Sequence, residues 1–138
     1  MTEEEKKQKL QQKYMEMQAL SQQIQQVQKQ LELIVNQVQE LNSTKEALDN
    51  ISKTPLDTEI RVPVASGIFV KGKITDNKDV TVNVGAGAAV KKTIPEAKEL
   101  IDQQLKEITN FRAELEVNLN QLVTKAQQLE KELSELVK

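Results

Sequence analysis

Every residue that breaks helices in this 138-residue chain lies in one central stretch. The glycines are Gly67, Gly72, Gly85 and Gly87, and the prolines are Pro55, Pro63 and Pro95. Neither type occurs in 1–54 or 96–138. Gly and Pro are the strongest local punctuation against a helix. The chain therefore reads as helix, broken middle, helix, with boundaries at 1–54, 55–94 and 95–138.

Both flanks carry a heptad. In the first, Leu10, Met17, Ile24, Leu31, Val38 and Lys45 occupy one seam position, and Lys13, Leu20, Val27, Ile34, Leu41 and Leu48 the other. In the second, the two sets are Ile101, Ile108, Leu115, Leu122, Leu129 and Leu136, then Lys98, Leu105, Arg112, Leu119, Ala126 and Leu133. A 3.5-residue apolar repeat sustained this long predicts a left-handed coiled coil. Thr2 with Glu5 and Thr93 with Glu96 read as capping boxes, with Pro95 in a first turn where its missing N–H does no harm. Pro55 disfavours helix at Thr54. At 1.5 Å per residue each arm spans about 60–70 Å. Two arms of nearly equal length around a short insert suit an antiparallel hairpin of helices, with both chain ends at the far tip. The polar seam residues Lys13, Lys45, Lys98 and Arg112 would fix register, Lys13 near Glu132 and Glu135.

The middle alternates with period two. Ile60, Val62 and Val64 share one face; Ile68, Val70 and Ile74 follow; then come Val80, Val82, Val84 and Val90. Between them lie mostly Arg61, Lys71, Lys73, Asp79, Thr81, Asn83 and Lys91. This is the pattern of strands with one apolar face. Turn signals at Ala65-Ser66-Gly67, Asp76-Asn77-Lys78 and Gly85-Ala86-Gly87 give four short strands in two hairpins. Pro63 suggests an edge or a bulge in the first. Small isolated sheets are marginal in water. If the helices bury their seams in each other, they cannot cover the sheets, and all ten apolar side chains stay wet. Burying each is worth about 1.5–3 kcal/mol. Hairpins from other chains would cover them, so these ten residues are the expected oligomer interface. The fold class expected is mostly α with a small β insert: an antiparallel two-helix coiled coil whose hairpins build an oligomeric β-barrel platform.

Composition removes most chemistry. The chain has no cysteine and no histidine, hence no thiolate and no imidazole base or ligand. Nineteen basic and 21 acidic residues are well mixed, which leaves no basic stripe for nucleic acid. No apolar run reaches the roughly 18 residues of a membrane span, and MTEEEKKQKLQQ is no signal peptide. A cytoplasmic protein without a cofactor is the expectation. Gly67 through Lys73 matches the glycine spacing of a phosphate loop, but Ile74 stands where a magnesium-holding Ser or Thr belongs, and IFVKGKI reads as a strand. At Gly85 and Gly87 a hairpin turn needing positive φ is the better reading. The carboxylates sit mainly on solvated helix faces with no cleft to desolvate them. The twelve glutamines of residues 8–39 read as coiled-coil surface.

The candidate functional surface is the tip. Leu10, Tyr14, Met15, Met17 and Leu20 come from one arm, and Leu129, Leu133, Leu136 and Val137 from the other. Tyr14 and Met15 are apolar yet off the seam, and Met suits adaptable apolar contacts. Helix ends fray, which would expose more. Ordinary seam core is the competing account of these residues.

The middle also carries a resemblance. "RVPVASGIFVKGKI" followed by "DVTVNVGAGAAVKKTIPEA" resembles the α class of prefoldin subunits, in its Val-Pro-Val opening, its small-residue turn and its Val-Gly-x-Gly-x-x-Val-x-Lys run into a helix. Two hairpins point to that class, since β-class subunits have one, and VGAGAAVKK is of archaeal type. The resemblance covers the whole chain in layout. It implies a hexamer of two α and four β subunits, a double β-barrel platform with six arms, and unfolded clients held at the tips. It further implies delivery to a group II chaperonin without ATP. The expected function is an ATP-independent holdase and not an enzyme; the alternative is a structural spacer, tether or filament former, and an enzyme with a degenerate phosphate loop is the third reading weighed.

Overall fold

A computed structural model describes residues 2–137. Its elements run α1 (Glu3–Lys53), β1 (Glu59–Ala65), β2 (Ile68–Lys73), β3 (Asp79–Gly85), β4 (Ala88–Thr93) and α2 (Ile94–Val137). The described residues divide into two compact bodies, one of residues 2–37 and 107–137, the other of residues 38–106. Among the described residues no helix is long and apolar enough to cross a membrane.

The caps form where the sequence places them. The Glu5 N–H donates to Thr2 Oγ1 at 3.2 Å. At the start of α2 the Glu96 N–H donates to Thr93 Oγ1 at 3.3 Å, and the Thr93 hydroxyl donates to Glu96 Oε1 at 3.0 Å. The two N–H bonds each satisfy a group that a helix end leaves open, and the side-chain bond links the two residues of the second cap to each other. Pro55 follows closely on the end of α1, and the Thr54 hydroxyl returns to the Asn50 carbonyl at 2.7 Å.

In the first body the two helix segments run antiparallel and meet along the heptad. Val27, Ile34, Leu115, Leu122, Leu129 and Leu133 are buried, and Leu10, Met17, Leu20, Ile24 and Leu31 are half-buried. Lys13 reaches across to Glu132. Arg112 departs from its seam position: it is exposed and turns to Glu116 one turn on, at 3.1 Å. A guanidinium can lay its stem along the helix and keep its charge in water, which avoids desolvating it in an apolar seam.

The second body holds both hairpins. Each is a separate two-stranded antiparallel sheet, β1 with β2 and β3 with β4. Val62 faces Val70 and Ile60 faces Gly72; Val82 faces Val90 and Val80 faces Lys92. Opposed residues share a face, so Ile60 and Val62 lie together with Val70, and Val80 and Val82 with Val90. Both registers slip one residue before the turn, at Pro63/Ala65 and Asn83/Gly85. In the second turn Ala86 and Gly87 have φ of 51° and 74°, the sign pattern of the tight hairpin turn that matches strand twist.

Leu48, Ile94, Ala97 and Ile101 form the core of this body, with Leu41, Ile51, Leu105, Val80 and Val82 packed on it. Here the structure differs from the expectation that the helices leave the whole β-face wet. Strand β4 passes straight into α2 with no intervening residue, and Ala97 is small. The second hairpin is thereby held against the helices, and Val80 and Val82 are half-covered. Two seam lysines fix the helix register nearby: Lys45 Nζ lies 2.7 Å from Asp102, and Lys98 pairs with Asp49.

Candidate functional site

Two apolar surfaces stand out, one in each body. In the first, Tyr14, Met15 and Val137 are 58%, 71% and 67% exposed. Tyr14 and Val137 come from different helices and line one open depression of about 490 Å³ with Glu130, Leu133 and Ser134. A neighbouring groove of about 460 Å³ is lined by Ala19, Leu20, Leu129 and polar residues that include Glu16, Gln23 and Lys125. Of the tip residues named from sequence, Leu129 and Leu133 are buried, and Leu10, Met17, Leu20 and Leu136 are half-buried. The heptad explains the split. Seam side chains are committed to the partner helix, whereas Tyr14, Met15 and Val137 fall between seam positions.

The Lys13–Glu132 pair crosses the two helices in this region. The Lys13 hydrogen bond first, and a Gln128 amide second, hold the Glu132 carboxyl below its usual range. In the other body the Lys98 hydrogen bond does the same for Asp49. Such half-exposed pairs add little stability, but they penalise a slipped register, in which each charge would face the wrong neighbour.

The second surface is the β-region. Val64, Ile68, Val70 and Val84 are 48–60% exposed, and Val62 and Val90 are 40% exposed. Ile60, Ile74, Val80 and Val82 are half-buried. Gly72 leaves its place on this face empty, and a Cβ there would sit 3.4 Å from Val62 Cγ2. All four strands belong to two-stranded sheets, so each also keeps an open hydrogen-bonding edge. An open groove lined by Leu41, Leu48, Ile101 and strand β3 runs beside the second hairpin. Gly67 sits in the first hairpin turn, and Ile68–Lys73 is strand β2, so this glycine run enters a strand and opens no helix.

Several exposed apolar residues escaped the sequence reading. Phe69 (56%) lies on the opposite face of the first hairpin, paired with Pro63. Leu33, Phe111 and Val117 are 62%, 48% and 57% exposed on the helices. Phe69 could have been found from the alternation, because it is out of phase with Ile68 and Val70.

A family model described as Prefoldin subunit matches residues 20–138. The chain is 44% identical over 117 residues to prefoldin subunit alpha of Methanopyrus kandleri, across 85% of this chain and 74% of the relative. It is 34% identical over 103 residues to prefoldin subunit alpha of Pyrococcus horikoshii, across 69% and 70%. A chain of the cryo-EM structure of filamentous PFD from Methanocaldococcus jannaschii superposes with a TM-score of 0.75. It covers 83% of this chain and 95% of that one, and at 23% identity it speaks to the fold.

Proposed function

The chain belongs to the prefoldin family of chaperone subunits, and we propose that it is an α-class subunit of an ATP-independent holdase. In this reading the division is 1–54 and 95–138 for the arms and 55–94 for the platform. The hairpins join those of β-class subunits, two α to four β, into a β-barrel platform. The arm tips hold unfolded clients in the cytoplasm and release them to a group II chaperonin.

The observation that carries the client role is the trio Tyr14, Met15 and Val137, exposed and off the seam. Each offers a weak apolar contact, and weak contacts in number hold a chain without trapping it. The platform rests on the uncovered valine and isoleucine face together with the open strand edges. An unpaired edge and a wet apolar face on the same short hairpin favour pairing with another chain.

The test is suppression of aggregation of a guanidine-denatured protein diluted into the assembled complex. The triple variant Tyr14→Ser, Met15→Ser, Val137→Ser should keep its assembly and lose most of the suppression. If wild type and variant suppress equally, the tips are not the client site. If the wild type suppresses nothing, the second reading, a spacer or filament former, takes over. That reading is favoured by the filamentous assembly named for the fold neighbour.

A further inference from the structure

The two hairpins are copies of one unit, offset by twenty residues. Residues 59–74 align with 79–94 without a gap, and Val62, Val64, Gly67, Val70, Lys71 and Ile74 recur as Val82, Val84, Gly87, Val90, Lys91 and Ile94. The structure repeats as well. The strand registers and the slip before each turn correspond. The Ile74 N–H donates to the Thr58 carbonyl at 3.0 Å, and the Ile94 N–H to the Lys78 carbonyl at 2.9 Å. Lys71 lies 3.6 Å from Glu59, and Lys91 lies 3.4 Å from Asp79.

A duplicated unit is its own control. Features that the hairpin fold needs appear in both copies, and most of the apolar face does, with Ala88 and Lys92 standing in for Ile68 and Gly72. Of the opposite face only the Glu59–Lys71 pair recurs, as Asp79–Lys91. Arg61, Pro63, Phe69 and Lys73 of the first copy correspond to Thr81, Asn83, Ala89 and Thr93 of the second. Pairing of Pro63 with Phe69, of Arg61 with Lys71 and of Glu59 with Lys73 puts all six on one face. A wet phenylalanine thus sits against a proline among three cations, with Glu59 the one carboxylate. Neither the fold nor the apolar face accounts for it, because the second copy folds with alanine there.

We propose that this face of the first hairpin is a docking site for an acidic peptide segment carrying an apolar side chain. Carboxylates of the segment would pair with Arg61 and Lys73, the two cations that the second copy replaces with threonine, and the apolar side chain would rest on Phe69 and Pro63. Charge argues for this occupant. Residues 55–94 hold six basic and four acidic residues, while the rest of the chain holds thirteen basic and seventeen acidic. An acidic segment is therefore repelled by the helices and drawn to the hairpins. Glu59 within the cationic face, and a flat apolar anchor at its centre, fit a peptide better than a phosphate backbone.

The experiment is fluorescence anisotropy of a labelled glutamate-rich peptide with a central leucine, titrated with the full chain. The comparison is the swap variant Arg61→Thr, Pro63→Asn, Phe69→Ala, Lys73→Thr, which copies the second hairpin's face onto the first and so uses residues this fold already accepts. The swap should weaken binding by about ten-fold or more. Phe69→Ala alone should weaken it several-fold even at high salt, where a purely ionic contact fades. Equal binding by wild type and swap overturns the proposal. So does an oligothymidylate that binds as tightly as the peptide, which would mark a nucleic-acid surface. A swap variant that loses its oligomeric state on a sizing column also overturns it, since the face is then an interface between subunits.

Discussion

Replacing Ile94 with alanine should unfold the second body far more readily than the same change at its repeat partner, Ile74. Ile94 is 3% exposed and packs with Leu48, Ala97 and Ile101. The substitution removes three carbons, worth about 2.4 kcal/mol at roughly 0.8 kcal/mol per buried methylene. The cavity left behind raises this to about 3 kcal/mol, within the usual range of about 2–5 for such deletions. The backbone bond from Ile94 to Lys78 survives the change, so packing alone is tested. Ile74 is half-buried, and its truncation should cost about half as much in the chain alone. Urea unfolding followed by helical circular dichroism reads both values. If Ile94→Ala costs no more than Ile74→Ala, Ile94 does not anchor this body and the assignment of its core is wrong. Repeating the Ile74 measurement with a β-class subunit present adds a second readout. Its cost should rise, because a partner hairpin would bury what the lone chain leaves half-wet.

Other consequences follow from the same geometry. The carboxyls of Glu132 and Asp49 are held below their usual range by Lys13 and Lys98. Their contribution is therefore present above the ordinary carboxylate range and lost as pH falls through the lowered values. Melting followed by circular dichroism should be flat from neutral pH to about 5 and decline below about 4, and the variant Glu132→Gln, Asp49→Asn should show a shallower decline. Ala86 holds φ at 51°, a region that costs an alanine about 1–2 kcal/mol. Ala86→Gly should therefore stabilise by about 0.5–1 kcal/mol after the added chain entropy, measured by urea unfolding. Leu133→Ser should lower the melting temperature of the arm, whereas Tyr14→Ser should not, because Leu133 is buried and Tyr14 exposed.

The helices were legible because their rules are local. Heptad spacing named the seam from Leu10 to Leu48 and from Lys98 to Leu136, and only Arg112 stepped out of it. Caps at Thr2 and Thr93 and the breaks at Pro55 and Gly67 followed from residue type. Period-two alternation placed the strands and paired Val62 with Val70 on one face. The rest depends on distances that the pattern does not contain. Val80 and Val82 touch the helices because β4 runs directly into α2 and Ala97 leaves room. At the tip, the same apolar character belongs to Leu133, which is buried, and to Val137, which is exposed. The hairpin repeat was present in the sequence, but windows that test for helix or strand do not compare one hairpin with the next. Its value appeared once the registers showed that Phe69 and Ala89 occupy equivalent places.

In the proposed function the hairpins of this chain build an assembly with β-class partners. Light scattering on a sizing column, for the chain alone and mixed with a β-class prefoldin subunit, tests it most directly. The chain alone should self-associate through its hairpins, and the mixture should form a discrete assembly of about six chains. A monodisperse monomer that ignores the β subunit would contradict it, and the valine face of residues 60–90 would then need a different cover.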